Sequence, residues 1–350
     1  MASQRDSRAP TVRDVAALAG VSPMTVSRVV GRVSTVNDEL RGRVLEAINQ
    51  LGYEPNRTAA AMRNAASGGM AVGLCVETIE NPFSASVARG LEGSLRAHGG
   101  LLFSASSEGD SKAERDILLE FYRRRVAGLV VMTVCDDHEF LIPRVHPKIP
   151  IVYLDRPALL KGCDQVTTDH LAGAEECTTH LIVQGHRRIG LVGSNLLGHP
   201  VAERFEGYQR ALAKAGIQFD PELVAALPRE AGAAAAGPAV ERLLRLPEPP
   251  TALFAASNSV MMVATQTLHR LGVADRIAHI TFDDICLDGI PVADIVSPPL
   301  SVYAQDPLEL GRLCGEAILR RHTETQRHEP TRTVLSGQLI TRGSGEIAPR

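Results

Sequence analysis

The chain has 350 residues, 44% hydrophobic and 4% aromatic, with no Trp and a formal net charge of −3. That length holds two or three domains. No run of about 18 apolar residues occurs, so no membrane span is expected. The polar opening "MASQRDSRAP" lacks the apolar core of a signal peptide, so a cytosolic protein is expected. Cys75, Cys135, Cys163, Cys177, Cys286 and Cys314 lie far apart, with no C-x-x-C. They read as small buried hydrophobes rather than metal or redox sites.

Charge is uneven along the chain. Residues 1–66 hold nine Arg, no Lys and six acidic residues, about +3; the rest carry 28 basic and 34 acidic residues, about −6. A basic head on an acidic body points to a polyanion at the head.

In "TVRDVAALAG", Val12, Val15, Ala16 and Ala19 form one apolar stripe of a helix, and Gly20 stops it. Ser22 can cap a second helix whose first position suits Pro23. Val26, Val29 and Val30 can face inward, leaving Pro23, Met24, Thr25, Ser27 and Arg28 outside. Two short helices joined by a Gly-containing turn make a helix-turn-helix, whose second helix fits a DNA major groove about 12 Å wide. Thr25 and Ser27 suit phosphate oxygens, and Arg28 can reach guanine O6 and N7. The alternative is a helical hairpin whose Arg28 stands in solvent. A third helix follows in "VNDELRGRVLEAINQLGY": Asn37 caps it, Leu40, Val44, Ile48 and Leu51 pack inward, and Gly52 ends it. Residues 57–64 have good helix formers but little apolar face, which fits either folding on binding or a plain linker. There Met62 is a candidate wedge for a minor-groove base step.

The stretch from "TVRDVAALAGVSPMTVSRVV" to "LRGRVLEAINQLGYEPNRTAAAM" resembles the head of the LacI family of bacterial transcriptional regulators over residues 11–63. The resemblance implies base reading by Pro23, Met24 and Arg28. It implies phosphate contacts by Thr25, Ser27 and Asn56, and a hinge-helix wedge at Met62, where most members have Leu.

In the body, strand-like and helical segments alternate. "MAVGLCVE", "LLFSAS", "VAGLVVMT" and "IPIVYLD" read as strands, with "NPFSASVARGLEGSLRAHG" and "SKAERDILLEFYRRR" as helices between them. After "CDQVTTD" the pattern begins afresh, with strands "RIGLVGS", "TALFAAS" and "IAHITFDD" among helices. Such alternation marks parallel sheets with helices on both faces. The fold class is therefore α/β: a two-lobed core of parallel sheets preceded by a small all-α helix-turn-helix domain. Strand "LSVYAQ" and helix "PLELGRLCGEAILRR" read as a return to the first lobe, and "RTVLSGQLIT" as a last strand in the second. The expected domains are a head, 1–55; a hinge, 56–69; a core, 70–343; and a tail, 344–350. Within the core, lobe one is about 70–167 and 299–324, and lobe two about 168–297 and 330–343.

Ligands of such sheets sit beyond the carboxyl ends of the strands, where two lobes face each other. The candidates there are Asn81, Phe83, Ser106, Thr133 and Asp155 from lobe one, Arg204, Asn258 and Asp283 from lobe two, and Gln305 at the end of the returning strand. For Asp155, Asp169 and Asp284 a capping or structural role competes. The body segments "QGHRRIGLVG" and "FDD…PPLSVYAQDPLELG" are similar to the LacI-type core, which shares its fold with periplasmic sugar-binding proteins. The resemblance implies effector contacts at Arg204 and Asp283. Asn258 stands where Asp is usual, Ser257 replaces an Asn, and Ala105 and Ala202 occupy places that are often polar.

The resulting expectation is a regulator, most often a repressor, that binds pseudo-palindromic operator DNA as a homodimer, with DNA affinity set by a sugar, sugar acid or related effector. It would be cytoplasmic and nucleoid-associated when bound, with no catalytic residue, metal or cofactor. No Leu heptad for a tetramer zipper follows residue 340. A sugar-binding receptor without a DNA role is the alternative. An enzyme is disfavoured, since G-x-x-x-x-G-K-[ST], H-E-x-x-H and G-x-S-x-G are all missing from the sequence.

Overall fold

The structure is a computed structural model that describes residues 10–30, 37–51, 70–144, 149–194, 196, 198–228, 231–287, 289–323 and 329–350. It divides into two compact units, Met1–Gly69 and Met70–Arg350.

The first unit contains helices α1 (Val12–Ala19), α2 (Pro23–Val30) and α3 (Asp38–Leu51). Thr11 caps α1 in a reciprocal box with Asp14, and Gly20 ends it at φ +61°, a left-handed conformation that glycine adopts without steric cost. Arg43 of α3 donates from Nη2 to the carbonyl of Ala19, 2.6 Å away, which satisfies the exposed end of α1. The Ser22 hydroxyl accepts from Thr25 N–H at 3.2 Å to start α2, and Asn37 Oδ1 accepts from Glu39 N–H at 3.0 Å to start α3. Val15, Ala16, Ala19, Val26, Val29, Val44 and Ala47 make the core. Val30, expected inside, is 36% exposed: a helix of eight residues offers one narrow stripe, and Val26 and Val29 fill it. Ala47 takes a place that the sequence reading gave to larger neighbours; Ile48 and Leu51 pack at its margin. Gly52, Asn56, Met62 and the 57–64 segment lie outside the described residues.

The second unit has two six-stranded sheets. In the first lobe, strands β1 (Ala71–Val76), β2 (Leu101–Ser106), β3 (Gly128–Val131), β4 (Ile151–Leu154), β5 (Asp164–Thr168) and β13 (Arg332–Leu335) lie in the order β13-β5-β4-β3-β1-β2, all parallel. In the second lobe, β6 (Ile189–Ser194), β7 (Val224–Leu227), β8 (Ala252–Ala255), β9 (Ala278–Phe282), β12 (Ser301–Ala304) and β14 (Gln338–Ile340) lie in the order β14-β12-β9-β8-β6-β7, with only the β12–β14 pair antiparallel. A small ribbon of β10 (Cys286–Leu287) and β11 (Ile290–Pro291) stands apart.

Helices flank both sheets, as buried strands require. In lobe one α4 (Pro82–Arg96) packs on α11 (Pro307–Thr323), and α5 (Ser111–Arg123) covers the other face. In lobe two α6 (His170–Val183) packs on α7 (Val201–Lys214), while α8 (Ala236–Leu244) and α9 (Asn258–Arg270) cover the second face; α10 is the short Val292–Ile295 turn. α4 and α11 approach backbone to backbone. A Cβ on Gly90 would stand 2.0 Å from the Leu308 carbonyl, and one on Gly311 2.1 Å from that of Val87.

The expected ends of the chain need correction. β12, the strand "SVYA" assigned to lobe one, pairs with β9 in lobe two. Its inward Val302 and Tyr303 complete the second lobe's core, and the chain re-crosses only after Ala304. The single last strand is two: β13 pairs with β5 in lobe one and β14 with β12 in lobe two. Residues 344–346 are no tail. Ser344 is fully buried, accepts from Ser301 N–H at 2.9 Å and donates to the His279 carbonyl. The short strands β5 and β7 and the β10–β11 ribbon were not foreseen. Of the six cysteines, Cys75, Cys163, Cys177 and Cys314 are buried as expected, but Cys135 is half-buried and Cys286 lies exposed on the ribbon. Among the described residues no helix is long and apolar enough to cross a membrane.

Candidate functional sites

In the head, Pro23, Met24, Ser27 and Arg28 are exposed along α2, and Met24 is a large apolar side chain 66% exposed. Thr25 is half-buried, its hydroxyl 2.9 Å from that of Ser22. α2 therefore presents one continuous face of reach suited to a groove, anchored from behind by Val26 and Val29.

In the core, the chain crosses between lobes three times: from β5 into α6, from β12 into α11, and from β13 into β14. Beyond the strand ends lies a cavity of about 210 Å³. Seven of the nine sequence candidates line it: Asn81, Phe83, Asp155, Arg204, Asn258, Asp283 and Gln305. Thr133 lines instead an adjoining chamber of about 510 Å³, and its hydroxyl is committed to Glu114 at 2.7 Å. Ser106 is outside this cavity; its hydroxyl accepts from Ile79 N–H at 3.0 Å and shapes the loop after β1. Glu77, Arg156 and Ser194 line both chambers and were missed. Glu77 stands directly beyond β1 and Arg156 two residues beyond β4, in "CVE" and "LDRP", which was the available signal.

Arg204 is buried on the first turn of α7. Its Nη1 donates to the Ala256 carbonyl at 2.6 Å, and its guanidinium carbon stands 3.9 Å from the centre of the Phe282 ring. Nε and Nη2 both donate to His170 Nδ1, at 3.4 and 3.2 Å. His170 Nε2 lies 2.7 Å from Asp155 Oδ1. Asp155 and Asp283 each stand one residue beyond a strand, β4 and β9, at positive φ, +54° and +73°, a strained conformation for a residue with a Cβ. Gln305 donates to Asp283 Oδ1, and its own Oε1 is buried without a partner among the described residues. Asn258 donates to Asn81 Oδ1 at 3.1 Å, directly across the two lobes. The Asn81 oxygen also accepts from Phe83 N–H at 3.0 Å to start α4.

Electrostatics separate the two aspartates. Burial raises both carboxyls. At Asp155 the neighbouring His170, Arg156 and Arg204 outweigh burial and hold it below the usual range. At Asp283 burial wins over Arg204 and Gln305 and the carboxyl is pushed up. Burial also pulls Arg204 down, while Asp283 and Asp155 pull it back; a guanidinium remains a cation throughout. Arg156 is spent on carboxylates, 3.4 Å from Glu77 and 3.6 Å from Asp155. Asp169 caps α6 through Ala172 N–H at 3.0 Å, and Asp284 pairs with Arg342 at 2.6 Å, so both serve the framework.

Among the described residues one group has metal-ligand spacing: Glu114, Cys135 and His138. Glu114 accepts from Val134 N–H at 2.6 Å, from Thr133 and from His138 at 2.6 Å, and the Tyr153 hydroxyl stands 2.8 Å from the other ring nitrogen. Burial pushes the Cys135 thiol up to about 12. Carboxylate and imidazole already satisfy one another, so the group acts as a strut under the loop that walls the larger chamber.

Comparison with known proteins places these two sites in one context. The family model described as bacterial regulatory proteins, lacI family, matches residues 11–56, and that of the periplasmic binding protein-like domain matches 178–345. An HTH-type transcriptional repressor PurR from Aliivibrio salmonicida is 30% identical over 95% of this chain and 98% of its own. The ribose operon repressor of Escherichia coli is 30% identical over 95% of this chain and 99% of its own. Among solved structures, the transcriptional regulator CelR–cellobiose complex superposes with TM-score 0.67 at 28% identity, covering 96% of this chain and 99% of that one. The lac repressor dimer bound to operator shares the fold at TM-score 0.79 and 22% identity, over 97% and 99% of the two chains.

Proposed function

The chain belongs to the lacI family of bacterial regulatory proteins, and from that premise we propose a repressor whose grip on a pseudo-palindromic operator is set by an uncharged sugar held between the lobes. It is a transcriptional regulator and not an enzyme. The observation that carries the sugar reading is the convergence of Arg204, Asp283, Asn258 and Gln305 on one cavity. Planar carboxylate, guanidinium and amide groups can each bond two neighbouring hydroxyls. Glu77, Asp155 and Asp283 stand against Arg156 and Arg204 in the lining, so an acid or phosphate would meet no excess of positive charge. The expected sugar, sugar acid or related molecule is thereby narrowed to the neutral class. The cellobiose bound by CelR is consistent with it.

Pro23, Met24 and Arg28 would read bases, with Thr25, Ser27 and Asn56 on phosphates and Met62 as the wedge. A homodimer would present two heads; Leu101 at 53% and Phe103 at 36% exposure on edge strand β2 offer apolar surface for a second copy. The protein would work in the cytoplasm, at the nucleoid when bound. Residues 1–55 would act as the head, 56–69 as the hinge and 70–350 as the effector core. The test is a thermal-shift screen of the whole protein against neutral sugars, sugar acids, sugar phosphates and nucleobases. A neutral sugar should raise the melting temperature and change operator binding. A response confined to an anionic ligand or a base would overturn the neutral-sugar reading.

A further inference from the structure

We propose that His170 is a positioning residue for the effector site: it holds Arg204 open for ligand and ties it across the two lobes to Asp155. The proposal rests on the interlobe effector reading above. Its basis is the placement of three buried side chains. Asp155 follows β4 in lobe one, Arg204 stands on α7 in lobe two, and His170 is the first residue of α6, where the chain first enters lobe two. His170 is 1% exposed and bonds both.

The geometry fixes the ring. Nδ1 faces two N–H groups of Arg204, which can only donate, so Nδ1 accepts. The proton therefore sits on Nε2 and is donated to Asp155 Oδ1. Of the five N–H donors of Arg204, two go to His170 and one to Ala256, leaving two without a partner among the described residues. Asp283 acts on Arg204 through charge, with no hydrogen bond between them. Remove the imidazole, and Nε and Nη2 lose their acceptor in a buried site while an opposite charge lies close by. The guanidinium should then turn onto Asp283. Both effector-binding groups would be occupied by each other. His170 keeps them apart, and through Asp155 it makes the posture of Arg204 depend on how lobe one meets lobe two.

Two measurements on the full-length protein test this. In 15N-histidine-labelled protein, the His170 side-chain correlations, assigned by loss of the signal in His170→Gln, should show the Nε2–H tautomer at neutral pH. A proton on Nδ1 overturns the proposal whether or not any sugar binds. The second is a double-mutant cycle on the affinity for ribose or cellobiose, whichever gives the larger thermal shift. His170→Ala should weaken binding at least 10-fold. The His170→Ala/Arg204→Lys pair should bind within 3-fold of Arg204→Lys alone, because both changes remove the same posture. Multiplying losses would mean that His170 acts on the fold rather than on Arg204 and would overturn the proposal. If neither sugar nor any other in the screen binds, the sugar reading fails, and the tautomer alone decides the role of His170.

Discussion

Asp283 is pushed up by burial and pulled down, less strongly, by Arg204 and Gln305. A carboxyl raised in the folded state takes up a proton more readily there than in the unfolded chain. Its charge therefore costs stability at neutral pH, and that cost is relieved as pH falls through the raised value. Asp283→Asn should melt no lower than wild type at pH 7.5, yet lose the effector response; a normal response in an operator-binding assay would place the ligand elsewhere. Glu114 has the opposite sign. Burial raises its carboxyl, but the bonds from His138, Val134 and Thr133 together hold it below the usual 4.5. Its contribution is full above that usual value and is lost as pH falls through the lowered one. Glu114→Ala strands three partners, two of them buried, and should cost about 3 kcal/mol or more at pH 7. Denaturant unfolding at pH 7 and again near pH 4 checks both size and sign: the gap to wild type should narrow in acid.

Helix pairs show what could and could not be read beforehand. The head's helices were legible because caps and stripes are local: Gly20, Ser22 and Asn37 sit where the sequence put them. β5 was not, since "DQVTT" lacks an apolar run and gains its place from β4 on one side and β13 on the other. β12 was misplaced because strand order is a long-range property, decided by which lobe still lacked an edge for Val302 and Tyr303 to cover. The same limit applies to the site. Asp283 and Gln305 were found from strand ends, but the link from Arg204 through His170 to Asp155 joins residues 34 and 15 apart in sequence, which no local pattern announces. Nor does the sequence disclose that α4 and α11 meet at Gly90 and Gly311. Gly90→Ala places a methyl 2.0 Å from a backbone oxygen that cannot turn aside. The helices must part, at about 1–3 kcal/mol of overpacking against at most about 1 kcal/mol of gained helix propensity. A melting temperature at or above wild type would show that the pair can slide. On α2, Arg28→Ala should weaken specific operator binding by about 1–3 kcal/mol and relax one position per half-site. Equal loss on all sequences, measured by competition with random DNA, would make Arg28 a phosphate contact.

Two units with separate cores, one facing nucleic acid and one enclosing a cavity, can regulate only if their binding equilibria are linked. Linkage is a single free energy, so it has one magnitude whichever site is titrated first. For a dimer with one sugar site in each subunit, if saturating sugar weakens operator affinity by some factor, typically about 5–150-fold, the operator must weaken the product of the two sugar affinities by that factor, about its square root at each site. If it strengthens one, it strengthens the other. Fluorescence anisotropy on a labelled operator, with and without saturating sugar, gives the factor from one side. Calorimetry of the sugar, with and without operator, gives it from the other. Residues 70–350 alone should bind the sugar with the affinity of the operator-free protein and should not bind operator, because the coupling ends with the partner that exerts it. A mismatch between the operator factor and the product of the per-site sugar factors would mean that a further equilibrium, such as subunit association, shifts during one titration. Repeating both at protein concentrations that saturate any such association would restore the match, since that equilibrium would then no longer draw on the same free energy.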